Sequence, residues 1–179
     1  MLGTEAAGDI GLAAILGGNL FARLAMHPAL RDVSDARERG MVVNSAWRRY
    51  GTINSLGLAA LLAGWAGSRA QPPRRRSDRE RALGPARDAA VAAVTATGVA
   101  AAIEGVRFAR MEPQGAVPLV DGSEAARGAS PDERAAKSRL NLLGGMHLAS
   151  ALALAGVNAA LRRAAIAPPP RRRWRAARV

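Results

Sequence analysis

The chain has 179 residues, which is enough for one domain or one small bundle, and its formal net charge is +12. It contains no cysteine, which excludes disulfides, thiolate zinc sites and cysteine nucleophiles. Hydrophobic residues make up 49% of the chain but aromatic residues only 3%, whereas a soluble core of this length normally uses more large aromatic side chains.

Four apolar segments follow one another along the chain. The first runs from Ile10 to Leu30, and the second, INSLGLAALLAGWA, runs from Ile53 to Ala66. The third, from Ala89 to Ile103, is rich in alanine, and the fourth runs from Leu140 to Leu161. A helix needs about 20 residues to cross about 30 Å of hydrocarbon, so the first and fourth segments are long enough alone. The second and third segments reach that length only with flanking residues.

We therefore predict a membrane domain over residues 1–166, with helices at about 10–30, 50–67, 87–110 and 139–162. The segments are nearly uncharged and lack the charged face of a soluble amphipathic helix. This pattern predicts an all-α fold, a four-helix transmembrane bundle with up-down-up-down order. A weak repeat between residues 36–64 and 130–156 indicates two related helical hairpins. A soluble, alanine-rich helical bundle is the alternative architecture.

The basic residues are concentrated in two blocks. A linker over residues 69–87 has seven arginines and two acids, and the chain after the fourth segment has seven arginines and no acid. Because arginine accumulates in cytoplasmic loops, the pattern predicts a multi-pass protein of the cell membrane with both termini in the cytoplasm. The predicted partners are the bilayer and its anionic head groups, with no nucleic acid. The proline-rich, basic tail over residues 167–179 is predicted to be disordered.

Polar residues interrupt the apolar segments and are predicted to meet at one depth. Charged side chains in a membrane helix are costly, so they usually face the bundle interior and a partner. We expect Arg23 to have Glu104 as its counter-ion. The predicted ligand-binding cluster consists of Asn19, Arg23, His27, Asn54, Glu104 and His147.

Several interpretations of this cluster remain open. The simplest is structural, with polar contacts that join the helices. A second is a pocket for a small lipophilic molecule, for which His147, Glu104 and Arg23 are the candidate catalytic residues. A third is a b-type haem held between His27 and His147. No spacing motif supports a metal site, and no nucleotide-binding or hydrolase motif is present, so we predict no metal and no cofactor, with haem as the alternative.

Three stretches carry a resemblance to a known group. They are the glycine-rich first helix with Phe21 running to Pro28, the sequence NSAWRRYGTINSLG, and the sequence RLNLLGGMHLASALALAGVN with His147, Ser150 and Asn158. The chain resembles small four-helix membrane proteins of the anthrone oxygenase-like and transmembrane-protein-205-like groups. The resemblance implies a four-helix membrane fold. Cofactor-independent oxygenation of polycyclic aromatics is attributed to some anthrone oxygenase-like members, but no catalytic residue of this chain matches a defined one.

The sequence thus predicts a membrane protein with a structural role or a role in binding a small lipophilic molecule. One alternative is a membrane-embedded, oxygenase-like enzyme acting on a hydrophobic substrate. The other is a subunit of an oligomeric transporter, because four helices are too few for a transport path in one copy. A homo-oligomer is therefore also among the predicted partners.

Overall fold

The computed structural model describes residues 2–71 and 77–166, and most of this part of the chain is helical. Four long helices, named α1 to α4, occupy residues 2–32, Ala36–Arg69, Asp78–Ala109 and Pro131–Ile166. Each contains one of the predicted apolar segments and extends beyond it. The predicted tail 167–179 lies outside the described residues, as do residues 72–76 of the predicted basic linker, whereas residues 78–87 of that linker begin α3.

Side-chain caps explain where three of the helices begin. Asp35 accepts hydrogen bonds from two backbone N–H groups in the first turn of α2. Ser77 and Glu80 exchange side-chain and backbone hydrogen bonds at the start of α3. Ser130 and Glu133 do the same before α4. Such caps satisfy N–H groups that have no partner within the helix, so each start is fixed by its local sequence.

The first helix changes its winding near its end. It is α-helical over Leu2–Phe21, π-helical over Ala22–Met26 and α-helical over His27–Ala29, and it ends in a 3-10 turn at Leu30–Asp32. Pro28 has no N–H, and in a regular helix its ring would clash with the carbonyl group four residues earlier. The wider π turn lies at that carbonyl group and relieves the clash. Arg23 lies in the widened part of α1.

The four helices form two close hairpins that lie side by side. α1 contacts α2 along its length, and α3 contacts α4 in the same way. Fewer contacts join the hairpins, and these run between α1 and α4 and between α2 and α3. α1 and α3 therefore occupy diagonal positions. This arrangement confirms the predicted all-α bundle with up-down-up-down order.

An apolar core runs through the middle of the bundle and draws on all four helices. Its buried members are Leu12, Ile15, Leu61, Val91, Val94, Ala151 and Leu154. Glycines bring α1 and α2 closest together. A Cβ added at Gly11 would lie 2.3 Å from the carbonyl oxygen of Gly57, and one added at Gly64 would lie 2.7 Å from the Cα of Gly8. Any larger residue at these positions would push the two backbones apart.

The segment between α3 and α4, residues 110–130, is folded back over one end of the bundle, and we call it the cap. Val117 and Leu119 are fully buried in a second apolar cluster, which also contains Val43 of α2 and Phe108 of α3. The backbone N–H of Leu119 donates to the carbonyl oxygen of Ala36. The cap therefore belongs to the fold and is held by all four helices.

Three of the four helices, α1, α3 and α4, are long and apolar enough to cross a membrane. The chain is thus compatible with a membrane protein. α2 is not one of the three, because Tyr50, Asn54 and Ser55 dilute its apolar run.

Candidate functional site

The buried carboxylate near the end of α3 is already paired. Glu104 Oε1 accepts a hydrogen bond from Arg139 Nε of α4 at 2.9 Å, and Glu104 Oε2 lies 3.7 Å from Arg107 Nη1. The predicted ion pair between Arg23 and Glu104 is wrong. The two residues lie on diagonal helices, and the adjacent helix α4 supplies the partner of Glu104 instead.

The histidine in the middle of α4 joins α4 to α3. His147 is buried, and its Nδ1 lies 3.1 Å from the carbonyl oxygen of Val94 and 3.3 Å from the hydroxyl of Thr97. Its ring lies against Gly98, where an added Cβ would come within 2.8 Å of the ring. The contact with the Val94 carbonyl is best made with the proton on Nδ1, which leaves Nε2 as an acceptor. Nε2 is buried and has no hydrogen-bond partner within residues 2–71 and 77–166.

The histidine near the end of α1 has different surroundings. The rings of His27 and Trp47 meet edge to face with their centroids 6.3 Å apart. The cap covers the other side, because Gly122 is in contact with the His27 ring and donates its backbone N–H to the His27 carbonyl oxygen. His27 thus contacts α2 and the cap, whereas His147 contacts α3, and the α1–cap pocket that His27 lines does not include His147.

Arg23 is a cation without a protein partner in the part of the chain that the structure describes. Its side chain is exposed and forms no hydrogen bond or ion pair with residues of that part. The guanidinium reaches across to α4, where a Cβ added at Gly144 would lie 3.3 Å from Nη2. Two consecutive glycines, Gly144 and Gly145, make room for it there. Arg23 thus lies against an uncharged stretch of α4.

Arg23 lines an open pocket of about 250 Å³ between α1 and the cap. The lining residues are Arg23, His27, Pro28, Arg31, Asp121 and Ser123. We call this space the α1–cap pocket. Arg23 and His27 are therefore the two predicted ligand-binding residues that the structure brings together at a cavity.

The acid in the α1–cap pocket is fully engaged by the protein. Asp121 Oδ2 accepts a 2.7 Å hydrogen bond from Arg31 Nη2, and Asp121 Oδ1 accepts from the hydroxyl and backbone N–H of Ser123. Burial alone would raise the pKa of Asp121, but the hydrogen bonds from Ser123 and Arg31 outweigh burial and lower this pKa to about 2. Asp121 is therefore ionised at neutral pH and matched by Arg31, so the positive charge of Arg23 is left over.

A buried lysine adds positive charge behind the cap. Lys137 is the only lysine of the chain, and its ammonium group donates to the carbonyl oxygen of Gly122 and lies 5.6 Å from the centre of the Phe108 ring. Lys137 and Arg23 are both close enough to His27 to act on it electrostatically. The α1–cap pocket is thus surrounded by more positive than negative charge.

The two predicted asparagines do not line this pocket. Asn19 is buried and donates to the carbonyl oxygen of Ile15 on its own helix. The side-chain oxygen of Asn54 on α2 is buried and without a hydrogen-bond partner among the described residues. Neither is among the residues around the α1–cap pocket. The predicted cluster of six is therefore divided between a paired carboxylate, separate helix contacts and one pocket.

Sequence reasoning missed the cap and the residues that hold it. Arg39 donates to the carbonyl oxygens of four residues, and Lys137 and Asp121 have the contacts given above. The sequence contains two signals of this folding. AVPLV at residues 116–120 is an apolar run inside a polar connection, and Asp-Gly-Ser at residues 121–123 is a typical turn.

Metal ligands are not clustered in the structure. Within residues 2–71 and 77–166, no three His, Asp or Glu side chains come together in a group that could hold a metal ion. No protein-family model, no curated protein and no solved structure matches this chain.

Proposed function

We propose that the chain is a membrane protein that crosses the bilayer four times and binds a small lipophilic molecule in the α1–cap pocket. Both termini lie in the cytoplasm, and the cap faces the opposite side. The observation that carries the binding role is the open pocket of about 250 Å³, which is lined by Arg23 and His27 at the end of an apolar bundle.

Uncharged bands on all four helices support four crossings. The bands cover residues 10–22 of α1, 50–68 of α2, 89–103 of α3 and 140–161 of α4. At about 1.5 Å per residue, the bands of α2, α3 and α4 are about 23 to 33 Å long, close to the thickness of the hydrocarbon core. α2 follows the same pattern although it is less apolar. It pairs along its length with α1, which would otherwise lose its main antiparallel partner in the bilayer.

Large apolar side chains lie exposed in or near these bands, as expected for contact with lipid. Leu24 is 75% exposed, Leu56 is 66% exposed and Leu142 is 65% exposed. In water such surfaces would favour aggregation, whereas in a bilayer lipid chains cover them. They lie on three different helices, so they support a belt around the bundle and not a single docking patch.

The distribution of charge supports the orientation. The end of the bundle between α2 and α3 has the basic linker, and the basic tail follows α4 at the same end. The connection from α3 to α4 has nearly equal numbers of acids and bases. The positive-inside rule then places the linker end in the cytoplasm and the cap outside.

The surroundings of the α1–cap pocket support a ligand that enters from the lipid. Leu20 and Leu24 flank Arg23 on α1, and Leu142 and Met146 flank its contact on α4; all four are exposed. The resemblance to anthrone oxygenase-like proteins points to the same broad class of ligand, a lipophilic small molecule. Among the candidate catalytic residues, Glu104 is held by two arginines and His147 by α3, so these two add no support for the enzyme or the transporter within residues 2–71 and 77–166.

A photoreactive probe tests the binding role. The probe is a long-chain alcohol with a diazirine group, and it is cross-linked to the purified full chain in detergent and mapped by peptide mass spectrometry. We expect labelling of residues around the α1–cap pocket. Ser123→Trp places a bulky ring in the pocket and should reduce this labelling at least tenfold. The matched control Glu124→Trp changes the next residue, which does not line the pocket. Labelling spread over the whole apolar belt, with no effect of Ser123→Trp, would reject the binding role.

A further inference from the structure

We infer that the α1–cap pocket recognises the anionic head group of a single-chain amphiphile, a carboxylate or a phosphate, through Arg23. The inference rests on the proposed binding role and adds the chemistry of the ligand. Arg23 is a cation in an otherwise uncharged stretch of α1, and the acid in its pocket, Asp121, is already paired with Arg31.

The position of Arg23 is costly without a counter-ion. On α1, residues 10–22 are uncharged, and the next charged residue after Arg23 is Arg31, two turns further on. An arginine stays protonated in proteins, so Arg23 cannot lower this cost by losing its proton. Both candidate acids are already paired, since Asp121, which lines the same pocket, pairs with Arg31, and Glu104 pairs with Arg139. An acid carried by the ligand would supply the missing charge.

The donor groups of the pocket suit an acid. The guanidinium of Arg23 presents five N–H donors, and none of them is used by a residue that the structure describes. Its planar fork matches two oxygens of a carboxylate or a phosphate. His27 lines the same pocket, and its buried Nε2 has no hydrogen-bond partner in the described chain. In the neutral tautomer that carries its proton on Nε2, His27 would be a second donor to the same head group.

The size and opening of the pocket favour one acyl chain. A volume of about 250 Å³ corresponds to roughly eight water molecules, which fits a small head group and the first carbons of a chain. The guanidinium of Arg23 lies over Gly144 and Gly145, so the head-group site adjoins the contact between α1 and α4. The tail would extend along the bundle surface towards exposed Leu142 and Met146. A neutral or cationic head group would leave Arg23 unpaired.

Competition experiments test the inference. The photoreactive alcohol is displaced at pH 8 by unlabelled dodecanoate, dodecyl phosphate, dodecanol or dodecyltrimethylammonium, which share one chain length. We expect dodecanoate and dodecyl phosphate to compete at least tenfold better than dodecanol, and dodecyltrimethylammonium to compete least. Whichever of the two acids competes better identifies the head group as carboxylate or phosphate.

Substitutions of Arg23 separate the recognition of the head group from the folding of the protein. Arg23→Gln should reduce the preference for acids to less than twofold, and Arg23→Lys should keep part of it. Arg49→Gln removes an exposed arginine of α2 that does not line the pocket, and it should keep the full preference. Equal competition by dodecanol and dodecanoate, or an acid preference that survives in Arg23→Gln, would overturn the inference. If the photoreactive alcohol does not label the pocket at all, the proposed binding role itself fails.

Discussion

The cap end and the middle of the bundle hold the same four helices together by different means. At the cap end, Arg39 donates to four backbone carbonyl oxygens, and Asp121 accepts from Arg31 and Ser123. In the middle, apolar side chains fill the core, and the backbones of α1 and α2 meet at Gly11 and Gly57. The cap end thus adds hydrogen bonds from charged side chains to its apolar cluster, whereas the middle of the bundle depends on close packing.

The difference follows from the solvent that each region would meet in a membrane. Lipid provides little hydrophobic driving force between helices, so close contact at small residues supplies the attraction there. In the proposed topology, water would surround the cap, where charged side chains can satisfy the carbonyl groups of an irregular segment. Substitutions in the two regions should therefore destabilise the protein in different ways.

The largest effect is expected where the two backbones of the first hairpin meet. Gly11→Leu places a side chain where even a Cβ would lie 2.3 Å from the Gly57 carbonyl oxygen. We expect a loss of about 3 kcal/mol or more in stability, or no folded protein, because backbone atoms cannot move aside cheaply. Thermal unfolding in detergent measures it. Gly17→Leu is the control, since nothing lies within 4 Å of a Cβ added there, and equal damage from both would contradict this account.

At the cap end, Arg39 of α2 donates hydrogen bonds to four carbonyl oxygens, two of them in the cap. Arg39→Met keeps the length of the side chain but removes the donors to Val33, Ser34, Leu119 and Val120. Hydrogen bonds from charged groups contribute about 1.5–3 kcal/mol, so we expect a loss of about 2–3 kcal/mol. Tryptic cleavage after Arg127 should become faster as the cap opens. Arg37→Met, which loses one exposed pair with Glu112, should have little effect, and a cap equally resistant in both variants would refute the role of Arg39.

The pH dependence of the cap follows from Asp121. Its pKa is lowered in the folded state to about 2, so its stabilisation is complete above about pH 4 and is lost as the pH falls from about 4 to about 2. The shift corresponds to about 2 kcal/mol. Unfolding temperatures of the wild type and of Asp121→Asn should converge over this interval. Asp132→Asn, at an exposed position in the first turn of α4, is the control, and its unfolding temperature should stay at a constant difference from that of the wild type. A difference in unfolding temperature between the wild type and Asp121→Asn that stays constant down to pH 2 would contradict this prediction.

The smallest effect distinguishes the observed partner of Glu104 from the predicted one. A double-mutant cycle between Glu104→Gln and Arg139→Gln should give a coupling energy of about 1 kcal/mol, since Arg139 is partly exposed. The cycle between Glu104→Gln and Arg23→Gln should give less than about 0.3 kcal/mol. Chemical unfolding in detergent provides the four stabilities for each cycle. Stronger coupling to Arg23 would restore the pairing expected from the sequence.

The fold could be predicted from the sequence because the uncharged segments and the charged connections differ so clearly. The ends of the helices were harder to predict from the sequence than the presence of the helices. α2 and α4 begin in charged turns capped by Asp35 and Ser130, and hydropathy does not register such turns. The cap was missed because its five apolar residues, AVPLV, are too few to appear as a segment, although Val117 and Leu119 are fully buried.

The site could be predicted only in part, because the depth of a residue in the bundle does not tell which helices lie next to each other. The order of the helices gives the depth of Arg23 and Glu104 but not which helices touch. Arg23 and Glu104 are on diagonal helices, so a similar depth does not bring them together. Arg23 and His27 are one turn apart on α1, and this local spacing lets both line the α1–cap pocket.

The most direct test of four crossings, with the cap outside and the linker inside, uses the absence of cysteine from the chain. Gly128→Cys puts a thiol on the cap at a position with open space, and Ala70→Cys puts one on the exposed linker end of α2. In intact cells, a membrane-impermeant maleimide should label Gly128→Cys, and it should label Ala70→Cys only after the cells are permeabilised. Labelling of both variants from the same side, or recovery of the chain in the soluble fraction, would contradict the account.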